Sequence, residues 1–199
     1  MNSENSNLNA SKTRCGWCEK DDLYRSYHDN EWGKPVYDDA TIFEFLVLES
    51  FQAGLSWHTI LKKREHFREA FDAFDYKKIA LYNDQKVEEL MQNAGIIRNK
   101  LKILATINNA QKFIEVQQEF GSFSKYIWAF VDGKPIVNKP KTLKDIPATS
   151  EISDNLAKNL KKRGFKFLGS TVMYAHLQAT GLINDHLADC FCQENNFNS

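Results

Sequence analysis

Arg163-Gly164-Phe165-Lys166-Phe167-Leu168-Gly169-Ser170-Thr171 joins two helical segments, and its reading decides the fold. Two glycines five positions apart bracket it. Phe165, Phe167 and Leu168 are placed to plug the joint from the core side. Gly169 has no Cβ and lets the backbone come close to another molecule. The helix that follows opens with free N–H groups and the positive end of its dipole, where phosphate binds well. Lys161, Lys162, Arg163 and Lys166 surround that point. Taken alone, the loop reads more economically as an ordinary αα-corner with a solvated basic face. The phosphate grip is the alternative.

Helical periodicity runs outward from the loop in both directions. Asp21 or Asp22 can cap a helix to about Trp32, which Gly33-Lys34-Pro35 ends. A second helix runs from about Asp39 to Ala53 and stops at Gly54. Ser56 can cap a third through Phe74, and Asp84 a fourth that Gly95 closes. A long helix follows from about Asn99 to Phe120, ended by Gly121. Ser122 starts a short one through Val131. Asp132-Gly133-Lys134-Pro135 is a turn, and the stretch to Thr149 is irregular. Ser153 or Asp154 caps a helix ending near Arg163, and a last helix runs from about Ser170 to Thr180. There is no βαβ alternation and no internal repeat. The expected fold is all-α, one domain of packed helices.

The 199 residues suffice for one domain with a proper core. Lys and Arg number 26, Asp and Glu 26, so the formal net charge is zero. That argues against a generic basic nucleic-acid coat protein but leaves room for local clusters. No apolar stretch reaches the roughly 20 residues of a membrane helix. Met1 to Lys12 is rich in Asn and Ser, with no hydrophobic segment. It reads as a disordered tail, neither signal peptide nor anchor. The expectation is a cytoplasmic monomer, in which disulfides are rare. The four cysteines stand in two pairs at opposite ends, Cys15 with Cys18 and Cys190 with Cys192. They are free thiols or a clasp.

Tyr24, Tyr27, His28 and Glu31 recur at spacings of three and four, which puts aromatic and polar groups on one helix face. Ile42, Phe45, Leu46, Glu49 and Ala53 share a stripe on the next helix. Glu49 is thus an acid on an otherwise apolar face. Burying a carboxylate without partners costs several kcal/mol, so it pairs, lines a pocket or snorkels from the stripe's edge.

Several ordered segments then add up. They are Cys15-Gly16-Trp17, Tyr27-His28-Asp29-Asn30-Glu31-Trp32-Gly33, Gln52-Ala53-Gly54-Leu55-Ser56-Trp57 and Gly164-Phe165-Lys166-Phe167. With Gly95-Ile96-Ile97-Arg98-Asn99-Lys100, they make the chain after residue 13 resemble the 3-methyladenine DNA glycosylase I family. That family is the zinc-containing branch of the helix-hairpin-helix DNA glycosylases. Leu160 to Tyr174 resembles the hairpin element, which grips phosphate without reading sequence.

The resemblance implies a base-excision repair enzyme that hydrolyses the N-glycosidic bond of 3-methyladenine in double-stranded DNA, leaving an abasic site. It implies that Glu49 bonds the excised base as the catalytic acid residue of the pocket. Tyr24, Tyr27 and Trp57 would form stacking walls, with Trp17 and Trp32 nearby. Gly54 and Leu55 would sit at the tip that enters the DNA stack. Arg98, Gly164, Gly169 and Ser170 would contact the DNA. Cys15, His28, His186 and Cys190 would bind one structural Zn2+ and clasp the two ends of the domain, His186 and Cys190 sharing a face if their segment is helical. Cys18 and Cys192 are competing ligand choices that the family pattern does not need. The implied organisation is a tail over 1–13, a glycosylase domain over 14–192 with its hairpin at 160–174, and a C-terminal tail over 193–199. Bifunctional members of the superfamily carry a Schiff-base lysine just after the second hairpin glycine. Here Ser170 and Thr171 stand there, so no lyase activity is expected. Other members use an Asp downstream of the hairpin. The candidate is Asp185, which sits beside a zinc ligand and is left without a role. Rival readings are a broader-range alkylbase glycosylase, a zinc-containing module that only binds DNA, and a small-molecule nucleoside hydrolase.

Overall fold

The computed structural model describes residues 12–52 and 54–195. The architecture is helical. In chain order come α1 (Asp22–Asn30), α2 (Asp39–Gln52), α3 (Trp57–Ala70), α4 (Tyr76–Ile79), α5 (Asp84–Gln92), α6 (Lys100–Phe120), α7 (Phe123–Trp128), α8 (Glu151–Lys162), α9 (Ser170–Ala179) and α10 (Cys192–Asn195). Most starts are capped as side-chain chemistry dictates. Asp21 Oδ1 accepts from Tyr24 N, Ser56 Oγ from Thr59 N, Asn99 Oδ1 from Lys102 N and Ser122 Oγ from Lys125 N. Gly121 ends α6 in the left-handed region at φ 85°.

Four local expectations need correction. The cap of α5 is Asn83, whose side chain accepts from Lys86 N, and Asp84 is the first helical residue. The cap of α8 is Ser150, not Ser153 or Asp154. Its Oγ accepts from Ser153 N while Ser153 Oγ accepts from Ser150 N, a reciprocal box that starts the helix earlier. The third helix stops at Ala70, because Asp72, Ala73 and Phe74 follow at φ 50°, 55° and 57°. That left-handed turn buries Phe74, and Tyr82 Oη donates to Asp72. The irregular stretch contains β1 (Ile136–Val137), paired in parallel with β2 (Ile183–Asn184) in the register Ile136 to Ile183. The expected helix end at Ala53 and the tail over residues 1–11 lie outside the described residues.

Phenylalanines dominate the main core. Phe43, Phe51, Phe67, Phe71, Phe113 and Phe123 are fully buried, and Phe113 stacks on Phe123 at 4.1 Å between centroids. A second cluster gathers Cys15, Tyr27, Trp32, Phe45, Leu61, Cys190 and Cys192. It packs the two chain ends against Phe45 of α2 and Leu61 of α3, and backbone bonds sew the N-terminal end to the end of α9 and the two ends to each other. Gly33 N donates to Gln178 O, Val36 N to Thr180 O, and Phe191 N to Thr13 O. Gln193 is buried and donates to His186 O, so the packed chain reaches past residue 192. No described helix is long and apolar enough to cross a membrane.

Gly181 makes the closest approach in this joint. It has φ +70°, and a Cβ there would lie 2.2 Å from the Lys34 carbonyl carbon. Gly181→Ala is expected to destabilise by about 2–4 kcal/mol, through clash plus a forbidden φ. Ala73→Gly is expected to act in the opposite sense by about 1 kcal/mol, since it relieves a left-handed alanine. Urea midpoints of the two variants check both signs.

Candidate functional site

The side chains that the sequence singles out as base-binding converge on one cavity of about 280 Å³. Trp17 comes from a short 3-10 turn, Tyr24 and Tyr27 from α1, Glu49 and Gln52 from α2, Trp57 from the start of α3. Trp32, Leu143, Ile146, Ala175 and Gln178 complete the lining. The aromatic walls touch one another. Trp17 and Tyr24 lie 4.8 Å apart between centroids, and Tyr27 and Trp57 5.5 Å. Trp32 is buried, packs edge-on to His186 at 4.6 Å, and lines the cavity.

Glu49 is buried, and its Oε2 has no hydrogen-bond partner. Trp57 Nε1 is likewise buried and unpaired. One acceptor and one donor in the same apolar chamber are thus unsatisfied, where each such group ordinarily costs about 1–3 kcal/mol. Desolvation pushes the Glu49 carboxyl up to about 8, so near neutrality its burial favours the protonated form. Burial also raises Tyr24 to about 12 and Tyr27 well above the ordinary phenol, keeping both neutral.

Gly54 and Leu55 lie in the turn between α2 and α3, whose flanking residues Gln52 and Trp57 line the cavity. Gly54 has φ +84°, with nothing within 4 Å of a built Cβ, and Leu55 is 40% exposed. Arg98 is exposed just before α6. In the hairpin, Phe165 and Leu168 are buried as expected, but Phe167 is not a plug. Its φ of 59° turns it outward, and it is 46% exposed. Asparagines of α6 fix the loop: Asn108 Nδ2 donates to Gly164 O, and Asn109 bonds both Lys166 O and Lys166 N. Gly169 is open, with nothing within 4 Å of a built Cβ. Ser170 Oγ bonds Ser153 and Asp154, so what the residue offers outward is its backbone N–H at the start of α9. Arg163 is tied to Glu119 at 2.6 Å, leaving Lys161, Lys162 and Lys166 as the exposed cations of the loop.

Behind the aromatic wall, Cys15, His28, His186 and Cys190 are all buried, with donor atoms within 4.8 Å of one another. Cys15 Sγ lies 3.6 Å from His186 Nδ1. Cys190 Sγ lies 3.4 Å from His28 Nε2 and 3.5 Å from His186 Nδ1. A tetrahedral ion with bonds of about 2.3 Å to sulfur and 2.0 Å to nitrogen sets those donors about 3.5 Å apart. The second nitrogens are occupied in the way metal histidines require. His28 Nδ1 donates to Asp29, which Arg14 grips with two nitrogens, and His186 Nε2 donates to Trp32 O. The set could therefore hold a metal ion. Residues 186–190 are not helical, yet they bring His186 and Cys190 together. Cys18 and Cys192 stand beside the set, their thiols directed at the carbonyls of Cys15 and His28.

Residues 17–193 match the methyladenine glycosylase family. The chain belongs to that family. It is 49% identical over 183 residues to DNA-3-methyladenine glycosylase 1 of Escherichia coli K12, covering 92% of this chain and 98% of that protein. It is 48% identical to DNA-3-methyladenine glycosylase of Haemophilus influenzae, over 91% and 98%. A crystal structure of a 3-methyladenine DNA glycosylase I superposes with a TM-score of 0.88 at 50% identity, covering 91% of this chain and all of that one. The Staphylococcus aureus enzyme, described for its recognition of 3-methyladenine, gives 0.87 at 40% identity, over 90% and 96%.

Sequence reasoning missed Gln178, Ala175, Leu143 and Ile146. The first two share a face of α9 that only the docking of the chain ends turns into a cavity wall. The other two come from the irregular stretch, which carries no periodic signal. It also gave no reason to single out His176, which is buried in α9 with both ring nitrogens unpaired and pushed down to about 3 by desolvation.

Two opposed pH dependences follow. Glu49 sits near 4.5 when unfolded and about 8 when folded, so its contribution is complete below 4.5 and lost as pH rises toward 8. His176 sits near 6.5 unfolded and about 3 folded, so its contribution is complete above 6.5 and lost as pH falls toward 3. Each is worth about 1.4 kcal/mol per pH unit across its window. Glu49→Gln is expected to flatten the alkaline side of the stability profile and His176→Phe the acid side, in urea melts from pH 4 to 8. An unchanged alkaline slope in Glu49→Gln would contradict the buried carboxyl.

Proposed function

We propose that the protein excises 3-methyladenine from alkylated double-stranded DNA, hydrolysing the N-glycosidic bond and leaving an abasic site. The observation that carries this is the unpaired carboxyl of Glu49, buried inside an aromatic chamber sized for one base. The substrate named for the relatives supports the same reading. A flipped purine needs ring faces to stack on and a few edge contacts. Tyr24, Tyr27 and Trp57, with Trp17 beside them, supply electron-rich faces that favour a base made cationic by alkylation.

Glu49 then acts as an electrostatic partner created by the substrate. The empty site favours its neutral form, and a cationic base entering beside it favours ionisation. The carboxylate bonds the base and stabilises charge as the glycosidic bond loosens. Alkylation has already made the base a good leaving group. What remains is to hold it, exclude bulk water and admit one water to C1′ of the sugar. Leu55, on the turn at Gly54, enters the base stack. The backbone at Gly164, Gly169 and Ser170 takes a phosphate, with Arg98 on the same strand. No lysine stands at Ser170 or Thr171 for a Schiff base, so the reaction is hydrolytic only. The monomer acts in the cytoplasm.

Cys15, His28, His186 and Cys190 hold one structural Zn2+ in this proposal. Four protein ligands close the sphere, so the ion holds the Trp17–Tyr27 wall in place and contributes no step.

Methylated duplex is expected to release 3-methyladenine, identified by chromatography. Glu49→Ala and Tyr27→Ala should each lower kcat/KM by about 100-fold, roughly 2.7 kcal/mol of transition-state stabilisation. Release of 7-methylguanine as well would move the protein to a broader range. No release from a folded, metal-loaded sample would leave a DNA-binding module.

Metal analysis of the purified chain is expected to find one zinc per protein. Cys15→Ala and His186→Ala should lose it, with a large drop in Tm and loss of excision. Cys18→Ala and Cys192→Ala should keep it. Retention of zinc by Cys15→Ala would break the assigned ligand set.

A further inference from the structure

Tyr24 lines the base cavity, yet its hydroxyl has no hydrogen-bond partner among the described residues. Its ring is therefore held through faces and edges alone. Trp17 packs against it at 4.8 Å between centroids, tilted by 60°. His58 stacks on it at 5.0 Å, with the planes only 28° apart. A ring has two faces, and the one under His58 is closed to a ligand. His58, the second residue of α3, is 5% exposed and is not among the residues that line the cavity. It backs Tyr24 from behind.

The imidazole is fixed in its turn. Its Nε2 donates to Asp21 Oδ2 at 2.6 Å, while Asp21 Oδ1 accepts from Tyr24 N at 3.0 Å. One carboxylate thus holds both the backbone that carries Tyr24 and the ring laid upon it. In the sequence Asp21 reads only as a helix cap, and His58 stands 37 positions away.

We propose that His58 is a positioning residue for base binding, its imidazole holding the Tyr24 ring in stacking position and Asp21 anchoring both. The proposal rests on the reading of the cavity as the base site.

A stacking wall gives most when it stands in place before the base arrives. A tyrosine ring turns about two side-chain torsions, and no bond at its hydroxyl end stops this one. Immobilising such a side chain at the moment of binding costs about 2–10-fold in affinity. A near-parallel imidazole removes that freedom in advance, because offset rings about 4.5–7 Å apart attract one another beyond the area they bury. His58, Tyr24 and the base then form one continuous stack. The bond to Asp21 also directs Nε2 away from the aromatic chamber, so the support adds no further polar group to the cavity wall.

The test is equilibrium binding of free 3-methyladenine to the metal-loaded protein, without DNA, read by NMR titration so that weak binding is still measured. His58→Ala is expected to weaken binding about 3–10-fold. His58→Gln keeps a donor for Asp21 but loses the ring, so it should weaken binding equally, and it stands in if His58→Ala does not fold. The deciding comparison is a double-mutant cycle with Tyr24→Leu, since a residue that acts through Tyr24 has nothing to act on once that ring is gone. In the Tyr24→Leu background, removing the His58 ring should change affinity by less than about twofold. A merely structural loss would weaken binding alike in both backgrounds. Tm and metal content are followed for each variant. Equal losses with and without Tyr24 overturn the proposal, as does full affinity in the folded His58 variants. A wild type that binds no base, or a Tyr24→Leu variant that binds as tightly as the wild type, fails earlier, at the cavity itself, and takes this assignment down with it.

Discussion

The structure depends on the closing of the two chain ends against one another. Residues 14–36 contribute one nine-residue helix and short turns, too little to fold alone. They hold their place because the last turn of α9 accepts Gly33 N and Val36 N, Gly181 lets Lys34 pass at contact distance, and Phe191 N reaches Thr13 O. Cys15 and His28 meet His186 and Cys190 in the middle of this joint. Four of the five aromatic residues that line the cavity are secured by the joint, since Trp17, Tyr24, Tyr27 and Trp32 all lie between residues 15 and 33. Holding the ends together and shaping the cavity are one structural act.

The rest of the molecule supplies the opposite wall and a rigid base for it. Arg64 bonds Glu44 of α2 and Glu31 at the end of α1, each at 2.6 Å, and so ties α3 to both. Lys102 is buried with its Nζ on Phe51 O, in the last turn of α2. A cation there complements the negative end of the helix dipole and fixes where the chain leaves toward Gly54 and Leu55. On this frame the protein retains unpaired polar atoms in Glu49 and Trp57. Such atoms cost stability, and in the proposed function a bound base supplies the missing partners.

Much of this was legible in the sequence because the relevant signals are local or periodic. An acid on an apolar stripe marks Glu49, tyrosines three apart mark a face of α1, and paired glycines mark the hairpin. The signals that failed are those in which two conformations suit the same residues. Asp72-Ala73-Phe74 suits a right-handed helix as well as the left-handed turn it adopts, and only the burial of Phe74 and the Tyr82 contact decide. Ser150 and Ser153 are both competent caps, and the choice lies in their reciprocal bonds. Phe167 looks like a core residue until its φ turns it outward. Gln178 could not be read at all, because its place on the cavity wall and its bond to Asp185 arise only after the chain has turned back through β2.

The neutral net charge takes on meaning once the pairs are placed. Arg14, Arg25, Arg64, Arg68 and Arg163 each face carboxylates, so arginine is largely spent on holding the fold together. Lys161, Lys162 and Lys166 stay exposed around the hairpin, beside the open start of α9. A phosphate-binding point made of backbone N–H groups and a few lysines gives register on a duplex without a broad basic face. In the proposed function few phosphates are neutralised, so modest non-specific affinity and a shallow salt dependence are expected. A protein that must test many undamaged bases gains from such weak general adhesion, because its discrimination can then reside in the chamber. In the proposed function the aromatic faces there select a cationic ring, and the buried carboxyl of Glu49 becomes a full partner only when that ring arrives.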